Sequence, residues 1–388
     1  MKCVAFVGGM VFNSYTEKFE KANIICRDGF ISEISSGFVP SGYEAIDVTG
    51  KYLIPGLVDV HTHGIAGGDF NYASENKIGK MCHAYAKHGT TSIMATLASQ
   101  SMSNLFNSIY AINSHRINEN FDKANIIGIH MEGRYLNPKM RGAHAEELLA
   151  LPSVNELKSL FNIMMPTPAH FSIAPELEGA EEFIKAARQL GATVGIAHTS
   201  ASYEEAQKAI DMGAISFTHT FNAMTPVHHR MPGASVCSLN SKTAYTEIIC
   251  DGIHLHPAIV QLTYNAKSKD KLVLITDSMS ATTMSDGEYA IAGSDVIVKD
   301  GRALNKDGVL AGSTLTLFKA LTNIMSFCGI TLNEALRLAT INPAKMVGAD
   351  FVGSLEKNYR ADLIVLNDIE SPEIQDVYVG GNKILRGE

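Results

Sequence analysis

The sequence predicts an α/β fold: a (β/α)8 TIM-like barrel carrying a small β-sandwich domain built from both chain termini. Three observations predict it. Eight short apolar runs alternate with helix-patterned segments through the middle of the chain. Several of those runs end in His, Glu or Asp, at positions a barrel gathers on one face. The two ends of the chain read as strands and turns without a helical period.

The termini come first. Cys3–Val7, Ala22–Arg27, Phe30–Ser35 and Ala45–Val48 read as strands, with Arg27-Asp28-Gly29 as a tight hairpin turn. Lys2 followed by the apolar Cys3 to Phe12 has a faint signal-peptide look. No small-residue cleavage site follows and Gly8-Gly9 interrupts the run, so a first strand is the reading taken. At the far end Ala361–Leu366 and Asp376–Val379 have the same texture, with Gly380-Gly381-Asn382 as a turn before Lys383–Leu385. Residues 1–53 plus 346–388 are therefore assigned to the β-sandwich domain and residues 54–345 to the barrel.

In the barrel, strands are expected at Leu57–His63, Thr90–Leu97, Asn125–Glu132, Ala169–Pro175, Thr193–Thr199, Ile215–Asn222, Tyr245–His254 and Lys271–Ser278. Helices are expected at Glu75–Lys87, Met102–Asn120, Val154–Ile163, Ala180–Leu190, Tyr203–Met212 and Pro257–Ala266. Gly89, Gly191 and Gly213 stand where C-caps belong. Ser313–Phe327 and Thr331–Leu338 supply two closing helices, and Ala281–Ala311 reads as a hairpin insertion. A doubly wound open sheet is the structural alternative. It calls for a glycine-rich phosphate loop after the first strand, and Gly67-Gly68 does not supply one.

Composition excludes several partners. Formal charge is −8, from 32 basic and 40 acidic side chains, with no basic run, which argues against nucleic acid or an anionic membrane. No apolar stretch approaches the ~20 residues that span a bilayer. The 6 cysteines are scattered without a Cys-x-x-Cys pair and read as thiols of a reducing compartment, so a cytoplasmic location is expected.

The chemistry lies at the strand ends. His61 and His63 follow the first apolar run in His-x-His spacing, which puts both side chains on one face of a strand. Glu132 ends the third run, His198 the fifth, His219 the sixth and Asp277 the eighth. A lone histidine at a strand end is more often a satisfied core residue, but five strands converging on His, His, Glu, His, His and Asp are not explained by packing. Imidazoles with a carboxylate suit Zn²⁺ or a similar divalent ion with one position open to water. Such an ion lowers the pKa of a water ligand from 15.7 to about 7. Asp277 is placed to take the proton and return it to a leaving amine. Its bland alternative is a helix N-cap or turn, since Ser278 and Ser280 follow.

At these residues the chain resembles the amidohydrolase superfamily, most closely its N-acetylglucosamine-6-phosphate deacetylase family. The resemblance spans nearly the whole length. Asp59-Val60-His61-Thr62-His63-Gly64 is similar to the family's opening motif, His130-Met131-Glu132-Gly133 to H-[LM]-E-G, and Thr218-His219-Thr220-Phe221-Asn222-Ala223-Met224 to T-H-x-[YF]-N-A-M. It implies hydrolysis of the N-acetyl group of N-acetylglucosamine 6-phosphate in amino-sugar catabolism. The implied metal ligands are His61, His63, Glu132, His198 and His219, and the implied base is Asp277. His144 is the implied contact to the acetyl carbonyl or oxyanion. Asn222, the backbone of Ala223, His254 and Arg230 are the implied sugar-phosphate contacts. Arg230 would reach the site of a neighbouring subunit, hence a homodimer. Gly133 and Leu310 complete the implied substrate-binding set, Leu310 within a segment closing over the acetyl group. Arg230 and His254 could also be solvated loop residues, and His256 is expected in the loop before Pro257.

One departure stands out. The family reads proline after the glycine of H-[LM]-E-G, and this chain has Arg134, which either meets an anionic substrate or braces a loop. The galactosamine epimer therefore remains an alternative substrate, as does an N-acyl amino acid. A non-catalytic barrel scaffold is the alternative of a different class, and it predicts lost ligands. One or two ions are compatible with the histidines, with Glu132 bridging if two; zinc is the expected metal, with iron, manganese or cobalt as alternatives.

Overall fold

The computed structural model describes residues 3–117, 121–164 and 168–385. Eight strands follow one another in chain order around one parallel sheet: Leu57–Thr62, Thr90–Ala98, Asn125–Glu132, Ala169–Ile173, Thr193–Ile196, Ser216–Phe217, Tyr245–Ile249 and Leu272–Ile275. The last meets the first through a Thr62–Ser278 bridge and an Asp277 N–H that donates to the His61 carbonyl at 2.9 Å. This is a (β/α)8 barrel. The first and second strands are buried at every position, because side-chain layers fill the inside and helices cover the outside.

Several helices form where the sequence period places them: Glu75–Lys87, Ala180–Leu190, Tyr203–Met212 and Pro257–Ala266. Ser202 and Glu205 make a capping box at the start of the third of these. His256, at the N-cap of the fourth, accepts from Ala258 N–H. Met102–Ile117 is helical, and the expected extension to Asn120 lies outside the described residues. The helix expected from Ser313 starts only at Leu317, because the Thr316 side chain caps it by accepting from Lys319 N–H. Two helices were not anticipated, Gly233–Asn240 and Ile341–Val347.

The fifth, sixth and eighth barrel strands stop short of their expected ends. His198, His219 and Asp277 have φ of 44°, 31° and 50°, and Phe221 and Ala223 are also positive. Left-handed backbone cannot continue a ladder, so the chain leaves the sheet just before or at these residues.

The termini form a second, separate sheet of eight strands. Cys3–Asn13 pairs with Glu44–Asp47 through its first half and with Tyr52–Pro55 through its second, and its antiparallel pairing with Lys18–Arg27 shifts register between Phe6 and Gly9. Tyr52–Pro55 in turn pairs antiparallel with the tail strand Leu363–Leu366. Asp28-Gly29, with φ of 52° and 88°, makes the expected two-residue hairpin. The expected hairpin insertion is a three-stranded sheet, Gly287–Ile291, Ser294–Lys299 and Arg302–Asn305. None of the six cysteines forms a disulfide. Among the described residues no helix is long and apolar enough to cross a membrane.

Candidate metal centre and substrate cavity

Glu132, the last residue of the third strand, is the centre of the site. Its Oε1 lies 2.8 Å from His219 Nε2 and 3.4 Å from His198 Nε2. Its Oε2 lies 2.9 Å from His63 Nε2 and 3.3 Å from His61 Nε2. Asp277 Oδ1 stands 3.2 Å from His63 Nε2 and 3.4 Å from His61 Nε2. The alternation of the first strand and the ends of the others bring all six side chains to one buried point, as the sequence leads one to expect.

The residues fit a divalent ion. Two ligand groups overlap at Glu132: His61, His63, Glu132 and Asp277, and Glu132, His198 and His219, the offered atoms within each lying within 4.8 Å of one another. Both ring nitrogens of His61 and the Nδ1 atoms of His63 and His219 are buried without a hydrogen-bond partner among the described residues. His198 Nδ1 lies 2.8 Å from the Met140 carbonyl and donates to it, which leaves Nε2 as a lone pair facing Glu132. Imidazole and carboxylate donors of this kind suit zinc or a similar ion.

The electrostatics point the same way. Burial opposes a charged His61, but the Glu132 and Asp277 carboxylates outweigh it and hold its pKa well above the usual imidazole value. His63 is likewise pushed up to about 9 against its burial, by Asp277 and Glu132. Burial alone would raise the carboxyls, yet the imidazoles, His61 foremost, hold Glu132 and Asp277 well below the carboxylate range. The cluster is a trap for positive charge. His144 behaves oppositely: burial, with His198 adding to it, pushes its pKa down to about 3, so the ring is neutral.

The centre opens on a cavity of about 510 Å³. His144, Asn222, Ala223, His254 and Leu310 line it together with His63, Glu132, His198, His219 and Asp277. His254 is held by Asp251, 2.7 Å from its Nδ1. The segment after the three-stranded insertion, Gly308 to Gly312, forms one wall. Two expected site residues are elsewhere. Gly133 packs against Ser99, where a Cβ would lie 2.4 Å from the Ser99 nitrogen. Arg230 is exposed, with its Nη1 2.7 Å from His229 Nε2, and does not line the cavity of its own chain.

Arg134 braces a loop. Its guanidinium makes two bonds to Glu156, at 3.2 and 3.1 Å, and one to the Gln100 carbonyl at 3.0 Å. Other residues at the site escaped sequence reasoning. Lys139 and Met140 line the cavity from the loop after the third strand. Glu247, buried beneath the centre, has Oε2 3.7 Å from His61 Nδ1; a glutamate within an apolar strand run was its signal. Ser99, one residue beyond the second strand, touches His144, and the strand-end rule applied to that strand would have found it.

Residues 52–384 match the Amidohydrolase family. An N-acetylgalactosamine-6-phosphate deacetylase of Escherichia coli O157:H7 is 33% identical over 355 residues, 91% of this chain and 92% of the relative. An N-acetylglucosamine-6-phosphate deacetylase of Bacillus subtilis (strain 168) is 32% identical, over 88% of this chain and 87% of its own length. Among solved structures, a mutant N-acetyl-D-glucosamine-6-phosphate deacetylase of Mycobacterium smegmatis in complex with N-acetyl-D-glucosamine-6-phosphate superposes with a TM-score of 0.90 at 28% identity, over 99% of both chains.

Proposed function

Because the chain belongs to the amidohydrolase family, we propose that it hydrolyses N-acetylglucosamine 6-phosphate to glucosamine 6-phosphate and acetate. One observation carries the reading: a single carboxylate, Glu132, shared by four imidazoles beside a second carboxylate, Asp277, at the floor of a cavity of about 510 Å³. That volume suits a phosphorylated hexosamine.

His61, His63, Glu132, His198 and His219 would hold the metal, zinc in this reading, with iron, manganese or cobalt able to replace it. His198 and His219 with Glu132 would suffice to hold one ion, and His61 and His63 would offer ligands for a second. A bound divalent ion supplies a Lewis acid that polarises the amide carbonyl and acidifies an attacking water. Asp277 accepts the proton of that water as its oxygen bonds to the acetyl carbon. The same carboxyl then donates the proton to the sugar nitrogen as the C–N bond breaks, so acetate and amine leave together. His144 donates a hydrogen bond to the acetyl oxygen as negative charge develops there. Asn222, the Ala223 backbone and His254 hold the sugar phosphate, and Leu310 packs over the acetyl group. Arg230 serves the neighbouring subunit of a homodimer, which accounts for its exposure on its own chain. Cysteines without a disulfide suit a cytoplasmic enzyme.

A second reading is favoured by the 33% identical relative named for the galactosamine epimer. Acetate release is the test, measured on N-acetylglucosamine 6-phosphate, its galactosamine and mannosamine epimers, and each sugar without phosphate. Fast turnover of the glucosamine compound is the expected result. Preference for the galactosamine compound replaces the substrate and keeps the chemistry, and no turnover of any phosphorylated sugar refutes the reading.

A further inference from the structure

Three hydrogen bonds outside the metal centre decide which nitrogen of His144 carries its proton. Ser99 N–H points at His144 Nδ1 from 3.4 Å, and Ser99 Oγ lies 2.9 Å from the same atom. The Arg134 N–H donates to Ser99 Oγ at 3.0 Å. A nitrogen that faces a backbone N–H is an acceptor, since a proton on it would oppose the donor head-on. Ser99 Oγ already accepts from Arg134, so its own hydroxyl proton is free to go to His144. Both donors of Ser99 therefore meet the lone pair of Nδ1, and the ring proton is on Nε2, the atom 3.8 Å from Glu132 Oε2.

We propose that Ser99 is a positioning residue that holds His144 as the Nε2–H tautomer, aimed at the acetyl carbonyl oxygen. The inference rests on the reading of His144 as the carbonyl contact. It turns on the residue at 134. A proline at 134 has no N–H to give, and its fixed φ near −65° does not match the 63° found there. The substitution of arginine supplies the donor, and the Glu156 and Gln100 bonds of its side chain hold the turn in that conformation. Gly133 completes the device, because any Cβ there would push Ser99 away.

Because only 9% of the His144 side chain is exposed, a tautomer set in advance matters: the opposite tautomer turns a lone pair toward the developing oxyanion and removes its donor. The experiment uses zinc-loaded protein labelled with ¹⁵N-histidine, with His144→Gln to assign the resonances. Long-range ¹H–¹⁵N correlation is expected to show Nδ1 unprotonated and Nε2 protonated. Ser99→Ala is expected to lower kcat about tenfold, the worth of about one hydrogen bond, with KM and bound metal unchanged. Ser99→Thr, which keeps the hydroxyl, is expected to restore kcat. A proton on Nδ1 in the unaltered protein, or an unchanged kcat in Ser99→Ala, overturns the proposal. The tautomer is read without substrate, so failure of the deacetylase reading and failure of this inference are separate results.

Discussion

Glu132 Oε1 and His219 Nε2 lie 2.8 Å apart although 87 residues separate them in the chain, and the other oxygen of the same carboxylate meets His63 and His61. One acid thus ties the first strand of the barrel to the turn after the sixth. Removing its charge should dismantle the centre without unfolding the barrel around it. Partners one layer outside a metal shell cost 10–100-fold in affinity, and Glu132→Gln, a change within the shell, should exceed about 100-fold. Metal content after gel filtration, with circular dichroism for the fold, checks this; retained metal would contradict the assignment of Glu132.

Asp277→Asn should separate binding from chemistry. Metal and substrate remain bound, while kcat falls by about 10²–10⁴ because the proton carrier is lost. Stopped assays of acetate together with metal analysis decide it, and turnover within threefold of the unaltered enzyme would remove Asp277 from its role.

Arg230→Ala should raise KM for the phosphorylated sugar by roughly tenfold or more, the scale of a hydrogen bond to a charged group. The unphosphorylated sugar should be unaffected. Equal losses on both would exclude a phosphate contact. Sedimentation of the unaltered protein as a dimer is the companion expectation, since the side chain is exposed on its own chain.

Inside the barrel, burial pushes the pKa of His170 down to about 4 from 6.5, and its Nδ1 lies 2.8 Å from Thr193 Oγ1. The unfolded chain takes up this proton before the folded one does. Stability linked to His170 is therefore fully present above pH 6.5 and is lost as pH falls toward 4, by an amount on the order of 3 kcal/mol. Urea unfolding across that window should show a flatter pH dependence for His170→Asn, and an unchanged slope would contradict the linkage.

The barrel was legible because parallel strands buried on both faces must be apolar, and because helices between them keep a 3.6-residue period. The clustering of His61, His63, Glu132, His198, His219 and Asp277 was legible because strand ends of a barrel converge. What escaped has physical causes too. The left-handed φ of His198, His219 and Asp277 has no glycine or asparagine to announce it, so these strands end before their apolar runs do. Arg134 finds Glu156, 22 residues away, through tertiary packing that no local pattern encodes. Ser99 stands at a strand end like the other site residues, but its contact with His144, 45 residues distant, exists only in the folded chain.

The most direct test of the account is a metal titration of chelator-stripped protein, with bound zinc and acetate release from N-acetylglucosamine 6-phosphate measured on the same samples. Turnover should be absent at the start and rise in proportion to bound metal until Glu132 and its histidines are filled. Full turnover by the stripped protein, or none at saturation with any phosphorylated N-acetylhexosamine, would contradict it.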